Sequence, residues 1–361
     1  MTIPMERQAA PASRTEQHHD RTERVLEQYF DGARRQAGAM GVAYGELWDV
    51  LRRGTQGGKR LRPELVFTAY SGLGGTDFDA VAPVAAAFEL LHTALILHDD
   101  VIDRDFKRRG VKNLAGEFRE RAVRQGFPMD QAEHRGQSVA IIAGDLALTG
   151  AYKLIAGTEL AGELRLRLLE ELDAAVFASA GGELLDVEFA GAPLAPTLPE
   201  VMTMSRLKTA VYSFEAPLRT GAILAGADLL AVETIGTAGR FMGTAYQLVD
   251  DLLGTFGDES VTGKTTTGDL AEAKSTPLMI YARNTPEWPR IAALLGQGIR
   301  TPEQADEVRR VLESCGARAY VEDLIECYTA RARAALEDSQ LPPQLLTALD
   351  GVLNRAVQRR R

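Results

Sequence analysis

Apolar residues recur along most of this chain at intervals of three and four, the pattern of helices with one buried face. The stripe runs through 21–39, 62–73, 79–104, 132–157, 161–189, 206–224, 229–254, 303–316, 317–337 and 343–358, and each stretch is predicted as a helix. Ala, Leu, Glu and Arg, all good helix formers, are abundant, and alternating β-branched runs are nearly absent. Gly and Pro gather between the periodic stretches, at 72–75, 191–199, 254–268 and 286–289, where they end helices and turn the chain. None of these breaks is long or low in complexity, and no fixed-period repeat is visible. The expectation is an all-α fold, with a disordered N-terminal tail at 1–20 and a single helical domain over 21–361.

Composition narrows the picture. Of 361 residues, 45% are hydrophobic and 25% charged, which is ordinary globular composition. The net charge of −9, with no long basic run before the extreme C-terminus, argues against nucleic acid as a partner. A highly anionic small molecule would then need a local basic cluster or bridging cations. Two cysteines, Cys315 and Cys327, show no zinc-type or CxxC spacing, so a reduced, cytoplasmic setting is expected. The N-terminus lacks the apolar core of a secretory signal, and His18 and His19 read as part of a polar tail rather than a metal site. No apolar run is seen to approach the ~20 residues of a membrane span. The longest, 85–97, is interrupted by Glu89 and His92.

The chemistry is concentrated in two acidic helix ends. In LILHDDVID, Asp99 and Asp103 stand four apart and share one helical face. Like charges at that spacing repel, and a hard divalent cation with oxygen ligands offsets the repulsion. A second pair, Asp250 and Asp251, ends another apolar stretch in YQLVDDLLG. Two such faces opposed across a helical bundle would form a carboxylate metal cage, and magnesium in such cages shares its coordination with substrate phosphates. Basic residues mark where anions would sit. GGKRLRP sets Lys59, Arg60 and Arg62 after a flexible turn and at a helix start, where backbone N–H groups and the helix dipole favour anions. Arg108 and Arg109 follow the first acidic cluster. Lys208, Lys264 and Lys274 stand in or beside loops, flanked by Thr209, Thr265 and Thr276.

Together, GGKRLRP, LLHTALILHDDVIDRDFKRRG, KTAVYSFEAPL, YQLVDDLLGTFGD and TGKTTTGDLAEAKSTPL resemble the trans-isoprenyl diphosphate synthases, in that family's order and spacing, over about residues 57 to 277. The resemblance implies an isoprenoid synthase-type helical bundle around a central active-site cavity, and a homodimer. It implies Asp99, Asp103, Asp250 and Asp251 as ligands of three magnesium ions. It also implies Arg108, Lys208, Lys264 and Lys274 as contacts of an allylic diphosphate, and Lys59, Arg62, His92 and Arg109 as contacts of isopentenyl diphosphate. Lys208, through its carbonyl, Thr209 and Gln247 match oxygens that face an allylic cation. Two positions depart from the family pattern: Gly254 takes the place of the last carboxylate of the second motif, and Glu183 stands where Gln is common.

The implied reaction is head-to-tail condensation of isopentenyl diphosphate with dimethylallyl, geranyl or farnesyl diphosphate by ionisation, condensation and elimination. The stretch 254–276 is the candidate lid. Ala94 and Leu95, five and four residues before Asp99, match the positions where aromatic side chains stop growth early in the family. Neither is aromatic here, which favours a product beyond C15; C20, geranylgeranyl diphosphate, is the expected product, with farnesyl and longer chains as alternatives. Phe88, eleven residues before Asp99, is the candidate tunnel floor, with a packed core phenylalanine as the alternative. A terpene cyclase and a non-catalytic subunit of a heteromeric synthase are the remaining readings, and Lys59, Arg62 and Arg109 speak against the cyclase.

Overall fold

Helices supply nearly all the regular structure of the computed structural model, which describes residues 14–108, 110–190, 194–257, 274–296, 298, 301–337 and 339–358. In chain order they are α1 (Arg14–Met40), α2 (Val42–Thr55), α3 (Leu61–Gly72), α4 (Phe78–Ile102), α5 (Leu114–Arg124), α6 (Met129–Ala156), α7 (Gly162–Phe189) and α8 (Leu198–Ser205). A π-helix, Arg206–Glu215, runs directly into α9 (Ala216–Leu224). Then follow α10 (Leu229–Phe256), α11 (Pro277–Arg283), α12 (Trp288–Gly296), α13 (Pro302–Ser314), α14 (Ala317–Glu337) and α15 (Pro343–Val357). Between α4 and α5 a two-stranded antiparallel ribbon pairs β1 (Lys107–Arg108) with β2 (Val111–Lys112), in the register Lys107 to Lys112 and Arg108 to Val111.

The helix starts are written locally. Asp77 accepts from the Ala80 N–H at the head of α4, and Asp228 accepts from Ala231 at the head of α10. Thr197 with Glu200, and Thr301 with Gln304, form reciprocal capping boxes at α8 and α13. The helices then bury their apolar stripes in one large cluster that includes Leu65, Phe67, Phe88, Leu90, Leu172, Phe214 and Ile235. A second cluster gathers Leu248 and Leu252 of α10 with Leu278, Ile291, Val308 and Val321 of α11 to α14. Helix α10 contributes to both, through Met242 in the first and Leu248 in the second.

Three expectations need correction. The first helix reaches back to Arg14, so 14–20 is not a tail. The His18 ring stacks on Phe67 at 4.5 Å, and Arg21 Nε donates to Asp79 at 3.0 Å, which docks that first turn on α3 and α4. Helices α2, α5, α8, α11 and α12 and the ribbon were not anticipated. In α2 the buried residues Leu47, Trp48, Leu51 and Thr55 do follow the helical period, whereas the ribbon is only two residues per strand. Finally, α4 and α6 are long and apolar enough to cross a membrane by length and composition alone. In α4 the apolar window is 67% buried within the protein, and in α6 it is 39% buried.

Candidate active site

The site is assembled on the end of α4, on α7 and on the π-helix. Gly182 of α7 lies so close to the π-helix that a Cβ there would clash with the backbone of Lys208. From the other side, a Cβ on Gly243 of α10 would sit 2.7 Å from Ala210 Cα. Two glycines thus let two helices press on the same π-helical turn. A π-helix widens the backbone and shifts side-chain directions relative to an α-helix, and such segments are frequent at functional sites. Lys208 thus stands within the helical stretch expected over 206–224 rather than in a loop, and the π-helical form of that stretch is what the sequence did not show.

Lys208 Nζ lies 2.9 Å from Asp99, 2.7 Å from Asp186 and 3.0 Å from Glu183. Burial alone would pull this ammonium down, but Asp99, Asp186 and Glu183 outweigh it and hold the pKa well above the usual lysine range. Asp99 also accepts from Arg108 Nη2 at 2.9 Å. Burial would raise the Asp99 carboxyl, yet Lys208 and Arg108 together keep it below the usual range. Asp103, one turn on, accepts from Lys274 Nζ at 2.7 Å.

Asp100 behaves differently from its neighbours. It is 2% exposed and accepts from Arg108 Nε at 3.0 Å. Burial pushes it up to about 6, against the lowering influence of Arg108. Arg108 reaches both carboxylates because the ribbon folds it back over α4, with Gly110 at φ 75° in the turn. Sequence reasoning passed over Asp100. Its 100° offset from Asp99 on the helix, toward the apolar side, was the available signal.

A second basic cluster lies where α3 meets the π-helix. Arg62 donates to Ser213 Oγ at 2.8 Å and to Tyr212 Oη at 3.2 Å, with its guanidinium 4.8 Å from the Tyr212 ring centre. The Arg62 Nε is buried without an acceptor. His92 Nδ1 is 3.2 Å from the same Tyr212 hydroxyl. The structure thus brings Arg62 and His92 together, as expected, and adds Tyr212 and Ser213, which were missed. Tyr212 lies four residues beyond Lys208, and the i, i+4 spacing within KTAVYSFEAPL was the legible hint. Lys59 is exposed at the neighbouring turn. Arg60, grouped from sequence with Lys59 and Arg62 at an anion-favouring helix start, is instead 4% exposed and turned inward.

On α10 the positions 243, 247, 250 and 251 continue the stripe that packs on the π-helix. Gln247 Nε2 donates to Asp251 Oδ1 at 2.8 Å. A carboxylate only accepts, so the amide nitrogen must face it and the Gln247 carbonyl oxygen is turned elsewhere. Gly254 is buried. Thr209 is half-buried beside Lys208. Arg109, Lys264 and the lid stretch 258–273 lie outside the described residues.

Phe88, His92, Leu95 and Asp99 fall within about 60° of one another on α4. His92 and Asp99 both touch the π-helix, so this stripe faces it. Phe88 is fully buried on that stripe. Ala94 lies about 140° from Asp99, on the side of Leu90 and His98, which meet Gly150 and Gly144 of α6. It is buried in that helix seam.

Among the described residues no three acidic, His or Cys side chains are gathered around one point as a metal shell. The donor set nonetheless fits a hard cation. Among the described residues, five carboxylates (Asp99, Asp100, Asp103, Glu183 and Asp186) pair with three basic groups (Arg108, Lys208 and Lys274). The donors are all oxygens, the chemistry that magnesium and calcium select.

Comparison with known proteins shows the family. The polyprenyl synthetase family model matches residues 46–315, and the chain belongs to that family, whose members are prenyltransferases. The chain is 32% identical to a geranylfarnesyl diphosphate synthase of Aeropyrum pernix, over 83% of this chain and 91% of that protein. It is 30% identical to a geranylgeranyl diphosphate synthase of Methanosarcina mazei, over 83% and 86%. A crystal structure of geranylgeranyl pyrophosphate synthase from Corynebacterium glutamicum, complexed with isoprenyl diphosphate and magnesium, superposes with a TM-score of 0.88 at 28% identity, covering 96% of this chain and 98% of that one. The chain is thus an all-α trans-prenyl diphosphate synthase.

Proposed function

We propose that this enzyme condenses isopentenyl diphosphate head-to-tail with dimethylallyl, geranyl and farnesyl diphosphates, and that its main product is geranylgeranyl diphosphate, C20. The observation that carries the reading is the meeting of Asp99, Lys208 and Arg108 near the start of the π-helix, with Arg62, His92 and Tyr212 gathered one turn further along it. Two anion-binding clusters a few residues apart on one element suit two diphosphate substrates better than the single one of a terpene cyclase.

In this reading Arg108, Lys208, Lys264 and Lys274 bind the allylic diphosphate, while Lys59, Arg62, His92 and Arg109 bind isopentenyl diphosphate. Asp99 and Asp103, with Asp250 and Asp251, hold divalent cations, three magnesium ions in number. When bound, these ions supply counter-charge to the leaving diphosphate. The basic side chains add fixed positive charge at the same place, which favours the ionised state over the ground state. The C1–O bond of the allylic substrate breaks with its electron pair going to diphosphate. The Lys208 carbonyl, Thr209 Oγ1 and the Gln247 amide oxygen face the resulting carbocation. The isopentenyl double bond, held alongside, attacks C1, and a proton then passes to the departing diphosphate. Holding both substrates turns their encounter into an intramolecular event.

Non-aromatic Ala94 and Leu95 favour a chain longer than C15, and buried Phe88 on the Asp99 stripe suits a tunnel floor. Relatives bear names from geranylgeranyl through geranylfarnesyl to octaprenyl, so farnesyl and longer products are the alternatives. A homodimer through α6 and α7 fits their outward apolar side chains, among them Ile141, Ile142, Leu166, Phe177 and Leu184, with Phe177 82% exposed. A cytoplasmic location suits two free cysteines. The test is incubation of purified protein with magnesium, isopentenyl diphosphate and each of the C5, C10 and C15 allylic diphosphates, with products sized after dephosphorylation. A dominant C20 alcohol is expected. A cyclic hydrocarbon, or no product with any starter, would refute the assignment.

A further inference from the structure

The middle cation of GGKRLRP takes no part in either basic cluster. Arg60 adopts a left-handed backbone, φ 48° and ψ 42°, and caps the start of α3. Residues with a Cβ occupy that region at a cost, so something must hold it there. Its guanidinium is tied through Nε and Nη1. The Nε donates to Glu23 of α1 at 2.5 Å, and Nη1 donates to the Thr55 carbonyl at 2.8 Å and lies 3.2 Å from Glu89 Oε1. Glu89 is the carboxylate that interrupts the apolar run of α4. It is 7% exposed, and its second oxygen is buried without a partner. A carboxylate in such a place is costly unless its charge is met, and Arg60 meets it.

The consequence is geometric. Glu89 precedes His92 by one helical turn, and Thr93 links the same turn to Thr55 by a 3.4 Å hydroxyl contact. Arg60 therefore ties three helices, α1, α2 and α4, to the single turn that carries Lys59 on one side and Arg62 on the other. We infer that Arg60, clamped by Glu23 and Glu89, is a positioning residue that fixes the left-handed turn so that Lys59 and Arg62 meet the isopentenyl diphosphate together. The inference deepens the proposed function and rests on Lys59, Arg62 and His92 being the contacts of that substrate. Only Arg offers a planar fork able to satisfy Glu23, Glu89 and a carbonyl at once, so Lys is no substitute here.

The experiment compares wild type with R60K, E89Q and the double variant R60M/E89L. It reads KM for each substrate, calorimetric affinity for isopentenyl diphosphate, and the thermal midpoint. R60K and E89Q are expected to weaken isopentenyl diphosphate by about tenfold, the loss of one well-placed diphosphate contact, with the allylic KM within about twofold of wild type. The double variant replaces a buried ion pair by apolar groups, which commonly preserves stability. Its thermal midpoint is expected to recover while the isopentenyl diphosphate KM stays raised. Equal loss toward both substrates, no loss, or a KM restored together with the midpoint would each overturn the positioning role. A wild-type protein inert toward both diphosphates would sink the reading of the site itself, and would be seen before any variant is compared.

Discussion

Asp99 and Asp100 are adjacent, yet their surroundings divide the labour between them. Asp99 faces Lys208 and Arg108 at the edge of the site, while Asp100 is buried and holds Arg108 from behind. Replacing Asp99 by Asn is expected to lower kcat by about 10² or more, the scale seen when one preorganised electrostatic group is lost from a site. Its thermal midpoint should change little, because Lys208 keeps Glu183 and Asp186. Steady-state kinetics and a melting curve check both. Asp100→Asn leaves Arg108 with only one carboxylate, and here both the midpoint and the allylic KM should suffer. At the chain-length positions, Phe88→Ala opens space on the stripe below Asp99 and should shift products beyond C20 in a sizing assay. An unchanged distribution would assign Phe88 to core packing instead.

At the scale of elements, the π-helix organises the site because α7 and α10 approach it through glycine. Gly182→Ala forces a Cβ against the Lys208 backbone, and overpacking of this kind costs about 1–3 kcal/mol. The expected outcome is a lower thermal midpoint together with a loss of turnover, since the displaced atoms carry Lys208 and Thr209. Helix α1 offers a pH test. Burial pushes the Tyr29 hydroxyl up to about 12, where it donates to the Leu146 carbonyl of α6. A folded pKa above the unfolded value of about 10 means that the stabilisation is complete below pH 10 and fades as pH rises toward 12. Tyr29→Phe should flatten the fall of the thermal midpoint across that window, and a parallel curve would count against docking through this hydroxyl.

For the whole molecule, the outward face of α6 and α7 is the feature a single chain leaves unexplained. Ile141, Ile142, Leu166, Phe177 and Leu184 are all at least 45% exposed, and apolar faces of this kind usually meet a partner. Phe177→Glu is expected to convert a dimer to a monomer in sedimentation velocity. If the wild type already sediments as a monomer, that face has another role.

Much of the architecture was legible in one dimension. Helical periodicity gave the long helices with most ends within three residues, because burial against a common core demands an apolar stripe whatever the partner. The acidic ends of α4 and α10 and the basic motifs were readable for a similar reason: repelling charges next to apolar runs imply a counter-charge. Tertiary structure alone decided which groups meet. It turned Asp100 and Arg60 inward although their neighbours face outward, since a helix or a left-handed turn aims adjacent side chains in different directions. It set Ala94 in the seam with α6 and left Phe88 and Leu95 on the side of Asp99. It also supplied the π-helical turn that carries Lys208 to three carboxylates, a backbone choice imposed by the close approach of two glycine-bearing helices and written in no local propensity.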